Sequence, residues 1–386
     1  MVQEQQLDYE SIRPYEDHEI QTVFNRLKNE AFFLRLLGFL YPQVPPEQFM
    51  EKLMHMTSIR QFQEEVISAY VRDVLKKTTN GVTVEGLDKL NPNESYLFIS
   101  NHRDIVLDPA ILNVLLVEEG FNTTEIAIGD NLLIYPWITD LVKLNRTFIV
   151  KRNLPMKQMM ENSRLLSQYI RFTLTDKKHS IWIAQREGRS KDGNDRTQIS
   201  LLKMLNISGE NSLTENFKEL KLVPVSISYE FDPCDYLKAR EFQLKRDDPD
   251  YQKTKDDDLM HMGTGLRGRK GRVHFAFGQP LQQELNPIDA LTVKNDQFST
   301  LADLIDKHVH QNYKLWPANY IAWDILNNCT DHQSHYTSED KKIFMDYIQE
   351  HISRLTDCDN DFIFTTLMEM YANPLVNQKS YNAELI

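Results

Sequence analysis

The sequence has few cysteines, few glycines and no long apolar run, and each shortage excludes a class of protein. Its three cysteines, Cys234, Cys329 and Cys358, lie far apart and form no CxxC pair, so we expect neither a disulfide framework nor a metal site. Glycine and proline, at 13 and 15 residues, are too sparse for a collagen-like or low-complexity chain. A chain of 386 residues that is 41% hydrophobic can instead bury a substantial core.

An excess of positive charge is also missing. The formal net charge of −12 excludes a nucleic-acid binder that works through its overall electrostatic field. The acidic N-terminal residues 1–19 show neither the basic nor the apolar region of a secretory signal. We therefore expect a chain that is not exported and that works in the reducing cytoplasm.

The most apolar stretch, AFFLRLLGFLY at residues 31–41, is too short to cross a membrane. Arg35 interrupts it, and its length is about half of what a spanning helix requires. Two interpretations remain open. The sequence alone favours a buried helix of the N-terminal region over an interfacial membrane anchor.

Hydrophobic spacing indicates an α/β fold with helical ends. Residues 18–77 carry apolar side chains at helical spacing, and Asn80-Gly81 is predicted to be the turn that leaves this region. Short apolar runs then alternate with helical patterns, which predicts a largely parallel or mixed sheet flanked by helices. The predicted strands are 95–100, 125–128, 147–150, 180–184, 222–228 and 272–277, and the helices between them are 108–116, 132–142, 156–174 and 197–205.

These patterns predict three parts: a helical N-terminal region at 1–81, an α/β domain at 82–290 and a helical C-terminal region at 291–386. The Asp-rich stretch 232–270 is predicted to be a solvated loop or insertion. Within it, Gly263-Thr-Gly265-Leu-Arg-Gly268 matches the letters of a dinucleotide-binding motif, but no strand precedes it and no helix follows. We therefore interpret this glycine-rich segment as a flexible turn.

The clearest chemistry lies at the end of the strand predicted at 95–100. Asn101 and His102 leave its carboxyl end, where the active sites of open α/β sheets lie. The carboxylate of Asp108 begins the next helix and could orient an imidazole that acts as a general base. Taken alone, a surface histidine and an aspartate that caps a helix explain the same pattern.

Five short motifs, in this order, resemble the phospholipid/glycerol acyltransferase family. Its first motif is Asn-His, four residues and Asp, often within Leu-Asp-Pro. Here five residues separate His102 from Asp108, but Leu107-Asp108-Pro109 retains the ending, so we place the extra residue in the preceding loop, with Asp104 as a possible substitute. The other four motifs are LNRTFIVKR at 144–152, REGRS at 186–190 without the family's usual Thr, VPV at 223–225 and FGQPL at 277–281, so that the resemblance covers about 82–285.

The resemblance implies a mechanism and its substrates. His102, oriented by Asp108, would deprotonate a hydroxyl that attacks the thioester of acyl-CoA or acyl carrier protein, with no other cofactor and no metal. The acceptor would be glycerol 3-phosphate or a lysophosphatidate in phospholipid biosynthesis, which implies a peripheral position on the cytoplasmic face of a membrane. Two alternatives stay open: another acceptor such as an amino-acid lipid, and an inactive acyltransferase-like binding protein.

Local charge agrees with a phosphate-bearing acceptor. Residues 141–203 contain fourteen Lys or Arg against five Asp or Glu. Guanidinium groups bind phosphate through paired hydrogen bonds, although a charge run is more often a solvated face. The sequence contains no Gly-x-Ser-x-Gly elbow, which favours direct transfer over a serine-bound intermediate. The predicted substrate-binding residues are Arg103, Arg146, Lys151, Arg152, Arg186, Glu187, Gly188 and Arg189.

Overall fold

The computed structural model describes residues 9–383 and has a seven-stranded sheet at its centre. The strands lie in the order β1-β7-β6-β2-β5-β3-β4. Only β6 and β7 pair in antiparallel fashion, and every other neighbouring pair is parallel. The strands are β1 Thr79–Glu85, β2 Leu97–Ser100, β3 Glu125–Gly129, β4 Thr147–Val150, β5 Ile181–Ala184, β6 Leu222–Tyr229 and β7 Gly271–Phe277. The predicted α/β fold, a mixed sheet flanked by helices, is confirmed.

A helical bundle precedes the sheet, as predicted. Its helices are α1 Ile20–Leu27, α2 Ala31–Leu40, α3 Pro46–Met54, α4 Ile59–Phe62 and α5 Ala69–Thr78, with a π-helical segment Gln63–Ser68 between the last two. Ser58 caps α4 by accepting a hydrogen bond from the backbone of Gln61. The first eight residues of the acidic N-terminal segment lie outside the described residues.

The turn predicted at Asn80-Gly81 is wrong, because both residues belong to β1. Gly81 has a φ of 121°, and the register with β7 shifts between Thr79 and Val82. The glycine therefore produces an irregularity inside an edge strand rather than a reversal of the chain.

Helices cover both faces of the sheet. They are α6 Leu107–Glu118, α7 Pro136–Leu144, α8 Met156–Thr175, α9 Ile199–Asn206, α10 Leu213–Glu219, α11 Asp235–Asp247 and α12 Lys255–Arg267. Leu97 and Ile99 of β2 belong to one buried cluster, whereas Phe98 belongs to the cluster on the other face. Because side chains alternate along a strand, burial on both faces requires the continuous apolar runs seen in the sequence.

The stretch 232–270 is not a solvated loop, because it contains α11 and α12. Some of its charges are paired inside the protein: Lys238 is fully buried and pairs with Asp232. The glycine-rich segment is not a flexible turn either, since Gly263 and Gly265 lie within α12. A Cβ atom on Gly265 would lie 2.0 Å from Oδ2 of Asp104, so this glycine permits close packing against the loop that follows β2.

Four α-helices follow within the described residues: α13 Lys294–Gln311, α14 Pro317–Leu326, α15 Ser338–Ser353 and α16 Asn360–Ala383. Phe298, Leu301 and Ile305 of α13 share one core cluster with the sheet, whereas α14, α15 and α16 pack around a cluster of their own. The division at residues 81 and 290 stays a prediction. Within residues 9–383, no helix is long and apolar enough to span a membrane.

Candidate active site

Most of the predicted site residues lie at one edge of the sheet. Strands β2 to β6 run in the same direction, so the residues that follow them meet at what we call the carboxyl edge. Asn101 fixes the exit from β2: its side chain donates to the carbonyl oxygen of Ile227 (2.9 Å) and accepts from the N–H of the same residue (2.7 Å). The next residue, His102, therefore leaves the sheet at a fixed point.

His102 and Asp108 are in direct contact at this edge. The Nδ1 atom of His102 lies 2.7 Å from Oδ2 of Asp108, which is fully buried. The same oxygen accepts from the backbone N–H groups of Arg103 (2.5 Å) and Asp104 (3.0 Å). Because the carboxylate accepts, we assign the proton to Nδ1, which leaves Nε2 free to take a proton from a substrate.

Two aromatic side chains frame this pair. The hydroxyl of Tyr229, the last residue of β6, donates to Oδ1 of Asp108 (3.0 Å). Burial and the nearby carboxylates of Asp108 and Asp104 raise the pKa of Tyr229 well above its usual value, so the hydroxyl stays protonated. Trp182 meets the imidazole of His102 edge to face at 5.5 Å, and the histidine side chain is 12% exposed. His102 is thus held in one orientation and remains partly exposed.

The side chain of Asp104 accommodates the extra residue that separates His102 from Asp108. Its Oδ1 accepts from the backbone N–H groups of Val106 (2.9 Å) and Leu107 (2.8 Å), which closes a tight turn before α6. Asp108 therefore reaches His102 although five residues separate them. Asp104 shapes the loop, and Asp108 is the carboxylate that contacts the imidazole. Burial, with a contribution from Asp108, raises the pKa of Asp104.

The loop at 186–190 lies beside the histidine. The N–H of Ser190 donates to the carbonyl oxygen of His102 (2.9 Å), and Gly188 adopts a φ of 71°. Arg189 is only 7% exposed and donates from Nη2 to Nδ1 of His261 (2.9 Å). Among the described residues, its Nη1 has no hydrogen-bond partner, and neither has Nε of Arg186. Two guanidinium groups at this edge thus each have a buried N–H donor without a hydrogen-bond partner within residues 9–383.

Lys151 and Arg152 follow β4 to the same edge. Nζ of Lys151 lies 3.4 Å from Oγ of Ser11, and Nη1 of Arg152 lies 3.1 Å from Oε1 of Glu187. Both basic residues are half-buried. Six of the eight predicted substrate-binding residues are therefore at the carboxyl edge: Lys151, Arg152, Arg186, Glu187, Gly188 and Arg189.

The structure does not bring the other two predicted residues, Arg103 and Arg146, to the exposed side of His102. Arg103 is buried, pairs with Asp195 at 2.5 Å and lies over the ring of Tyr313, so its charge is already balanced inside the protein. Arg146 immediately precedes β4 and lies at the opposite edge, beside Gln63. It belongs to the same motif as Lys151 and Arg152, but the length of the strand separates them.

Sequence reasoning missed Tyr229 and His261. Tyr229 ends β6, so the rule that sites lie at the carboxyl ends of strands could have found it. His261 lies in the stretch predicted to be a loop, 72 residues from Arg189. Among residues 9–383, no group of three or more His, Cys, Asp and Glu side chains is placed to hold a metal ion.

Residues 81–226 match a protein-family model described as Acyltransferase. The chain carries an acyltransferase domain. The match includes both members of the His102–Asp108 pair and the loop at 186–190, and it ends before α11 and α12. It agrees with the resemblance of the motifs over this part of the chain and supports an acyltransferase enzyme.

One solved structure similar to this acyltransferase is the crystal structure of the 1-acyl-sn-glycerophosphate acyltransferase PlsC from Thermotoga maritima. The similarity covers 76% of this chain and 92% of that chain, with 11% sequence identity and a TM-score of 0.35. A search of curated proteins gave no match.

Proposed function

We propose that this enzyme transfers a fatty acyl group from acyl-CoA or acyl carrier protein to the hydroxyl of glycerol 3-phosphate or a lysophosphatidate in phospholipid biosynthesis. The observation that carries the proposal is the 2.7 Å contact between His102 and Asp108, beside two guanidinium groups with unpartnered N–H donors. A histidine base suits a hydroxyl acceptor, and guanidinium donors suit a phosphate.

The reaction needs no covalent enzyme intermediate. Nε2 of His102 takes the proton of the acceptor hydroxyl while its oxygen attacks the thioester carbonyl carbon. The carbon–sulfur bond then breaks, and the imidazolium returns the proton to the departing sulfur. Asp108 stabilises the imidazolium and keeps it in one orientation, because two backbone N–H groups and Tyr229 already hold that carboxylate.

The acceptor phosphate binds among the cations of the carboxyl edge. Arg189 and Arg186 supply the unpartnered donors, and Lys151 adds charge. Arg152 pairs with Glu187, whose side chain is 63% exposed, so a phosphate can replace this solvated partner at little cost. Glu187 and Gly188 shape the loop that presents Arg189 to the acceptor.

Peripheral docking on the cytoplasmic face of a membrane is part of the proposal. In α2, Phe33 and Leu37 are buried, whereas Phe32 and Phe39 are each 61% exposed. Phe32 stacks on Tyr135, which lies six residues beyond β3 and close to the carboxyl edge. Met156, Met159 and Met160 at the start of α8, just beyond β4, are 82%, 53% and 70% exposed. Such side chains suit contact with lipid near the site.

The function is tested by acyl transfer from labelled acyl-CoA and labelled acyl carrier protein. The acceptors are glycerol 3-phosphate, a lysophosphatidate, a monoacylglycerol without phosphate and an amino-acid lipid without phosphate, with products resolved by chromatography. We expect the phosphate-bearing glycerol acceptors to be used and the monoacylglycerol to be poor. A preference for either of the last two acceptors would replace the proposed acceptor class, and the absence of any transfer would favour a binding protein.

Docking is tested by flotation with anionic liposomes. The double variant Phe32→Ser and Phe39→Ser should lose most of its binding, because two exposed aromatic side chains no longer enter the lipid. Phe172→Ser is the matched control, since Phe172 is 39% exposed near the other end of α8. Equal binding by wild type, the double variant and the control would contradict the docking surface.

A further inference from the structure

Helix α12 brings a second histidine to the carboxyl edge from outside the segment that matches the family. His261 is 4% exposed, and its Nδ1 lies 2.9 Å from Nη2 of Arg189. Two further contacts fix this helix. The thiol of Cys234 donates to the carbonyl oxygen of His261 (3.3 Å), and Gly265, one turn later, packs against Asp104. The imidazole is therefore held in place relative to both the loop at 186–190 and the loop that carries the catalytic pair.

The imidazole of His261 is neutral and serves as an acceptor. A guanidinium group can only donate, so Nδ1 must accept and the ring proton must lie on Nε2. Burial, followed by the positive charges of Arg189 and Lys253, lowers the pKa of His261 to about 2. The ring stays uncharged at any working pH and cannot act as a base or a pH switch there.

A neutral partner orients a guanidinium group without forming an ion pair with it, whereas a carboxylate would form one. Arg103 pairs with the carboxylate of Asp195, which balances its charge. Arg189 is oriented by a neutral ring instead, and the nearby carboxylates of Asp104 and Asp232 act on it only through space, so its guanidinium keeps N–H donors for an anion. Its Nη1 is buried without a partner among the described residues, and a buried guanidinium donor requires an acceptor.

We infer that His261 is a positioning residue, which holds Arg189 so that the free side of its guanidinium binds the phosphate of the acceptor. The inference rests on the proposed function, because that function supplies the phosphate. It adds a residue from α12 to the substrate site, beyond the part of the chain that matches the family. His261 touches Arg189 and acts through it.

Three substitutions separate orientation from charge. His261→Leu removes the acceptor and leaves the guanidinium free to rotate. His261→Asn keeps a neutral acceptor at a position close to that of Nδ1. His261→Glu keeps an acceptor but adds a negative charge that pairs with Arg189. Orientation by a neutral partner predicts that only the asparagine variant binds the phosphate-bearing acceptor nearly as well as wild type.

The experiment measures kcat and KM for the acceptor glycerol 3-phosphate or lysophosphatidate, and KM for the thioester donor. For His261→Leu and His261→Glu we expect acceptor KM to rise about tenfold to hundredfold, as for the loss of one charge-assisted hydrogen bond. The donor KM and kcat should stay within about threefold, and His261→Asn should restore acceptor KM to within about threefold. Unchanged acceptor KM in His261→Leu, or no recovery in the folded asparagine variant, would overturn the inference.

Calorimetric titration with inorganic phosphate keeps this test separate from the proposed function. If wild type fails to acylate the phosphate-bearing acceptors, the proposed function fails whatever the variants do. Phosphate binding that weakens in His261→Leu and recovers in His261→Asn would then still support the positioning role. Should wild type bind no phosphate, or should all variants bind it equally, the inference is overturned. Circular dichroism shows whether each variant is folded, and a misfolded leucine variant is replaced by His261→Phe.

Discussion

Two buried carboxylates at opposite edges of the sheet have different partners, and we propose a structural role for one and a catalytic role for the other. Glu125, at the start of β3, accepts from Tyr169 (2.5 Å) and from Nζ of Lys177 (2.8 Å). Burial would raise the pKa of Glu125, but the nearby His179 and the hydrogen bond from Lys177 lower it below its usual value. The ionised form of this carboxylate is therefore favoured, and Lys177 pairs with it.

Asp108 is buried as deeply but has different partners. It accepts from two backbone N–H groups, from Tyr229 and from the imidazole of His102. Among the described residues, no Lys or Arg side chain pairs with it. We propose that its negative charge stabilises the positive charge that His102 would gain during reaction. Burial alone therefore does not distinguish the two carboxylates; their partners do, because Glu125 pairs with Lys177 whereas Asp108 contacts a histidine at the carboxyl edge.

The largest expected effect is that of Asp108→Asn. The amide places a donor where the imidazole needs an acceptor, so the wrong tautomer of His102 is favoured. We expect kcat/KM to fall about 10³-fold to 10⁴-fold, measured as initial rates of thiol release in the presence of acceptor. A loss below tenfold, in a protein with wild-type circular dichroism, would show that the pair is not catalytic.

Glu125→Gln is the matched change at the opposite edge, and it should affect stability instead. Removing one charge leaves Lys177 near a neutral amide in a buried site, which costs about 3 kcal/mol of unfolding free energy, measured by urea titration. The kcat of the folded variant should stay within about twofold of wild type. If kcat fell as it does for Asp108→Asn, the contrast between the two edges would be lost.

Asp306 is another buried carboxylate, and we expect a smaller effect on stability from its substitution. It accepts from the N–H (2.8 Å) and hydroxyl (2.6 Å) of Thr197, and burial raises its pKa to about 6. Because the folded pKa exceeds the unfolded one, the native state binds this proton more tightly, and its contribution to stability is lost as pH rises from about 4 to 6. Asp306→Asn should remove about 2 kcal/mol of that pH dependence in urea titrations. An unchanged slope between pH 4 and 6 would contradict this assignment.

The smallest effect is expected for Arg146→Gln. Arg146 lies at the edge opposite to His102, so KM for the acceptor should stay within about twofold. Arg186→Gln is the matched change at the carboxyl edge, where Nε lacks a partner among the described residues, and acceptor KM should rise about tenfold. Equal acceptor KM values for the two variants would remove the distinction between the two edges.

The sequence correctly predicted structural features that depend on local residue patterns. The strand at 147–150 has the predicted ends because its apolar residues are bounded by polar ones. His102 and Asp108 could be paired in advance because a strand end and a helix start lie close in sequence. The tight turn made by Asp104 could not be predicted, because it depends on which backbone N–H groups this one side chain contacts.

The prediction of a solvated loop at 232–270 was wrong for a physical reason that also kept His261 from being recognised. Charged residues normally predict a solvated segment, but Lys238 contacts the carbonyl oxygen of Arg103, 135 residues earlier in the chain. A single sequence does not contain such distant pairings. The same holds for His261 and Arg189, which meet only after α12 has packed against the sheet edge.

The most direct test of the account is the rate of acyl transfer by His102→Ala, with labelled acyl-CoA and a phosphate-bearing glycerol acceptor at saturating concentrations. The account predicts a loss of about 10³-fold or more, with unchanged thermal stability and unchanged binding of inorganic phosphate. A folded alanine variant that transfers acyl groups within tenfold of the wild-type rate would contradict the role of His102 as the general base.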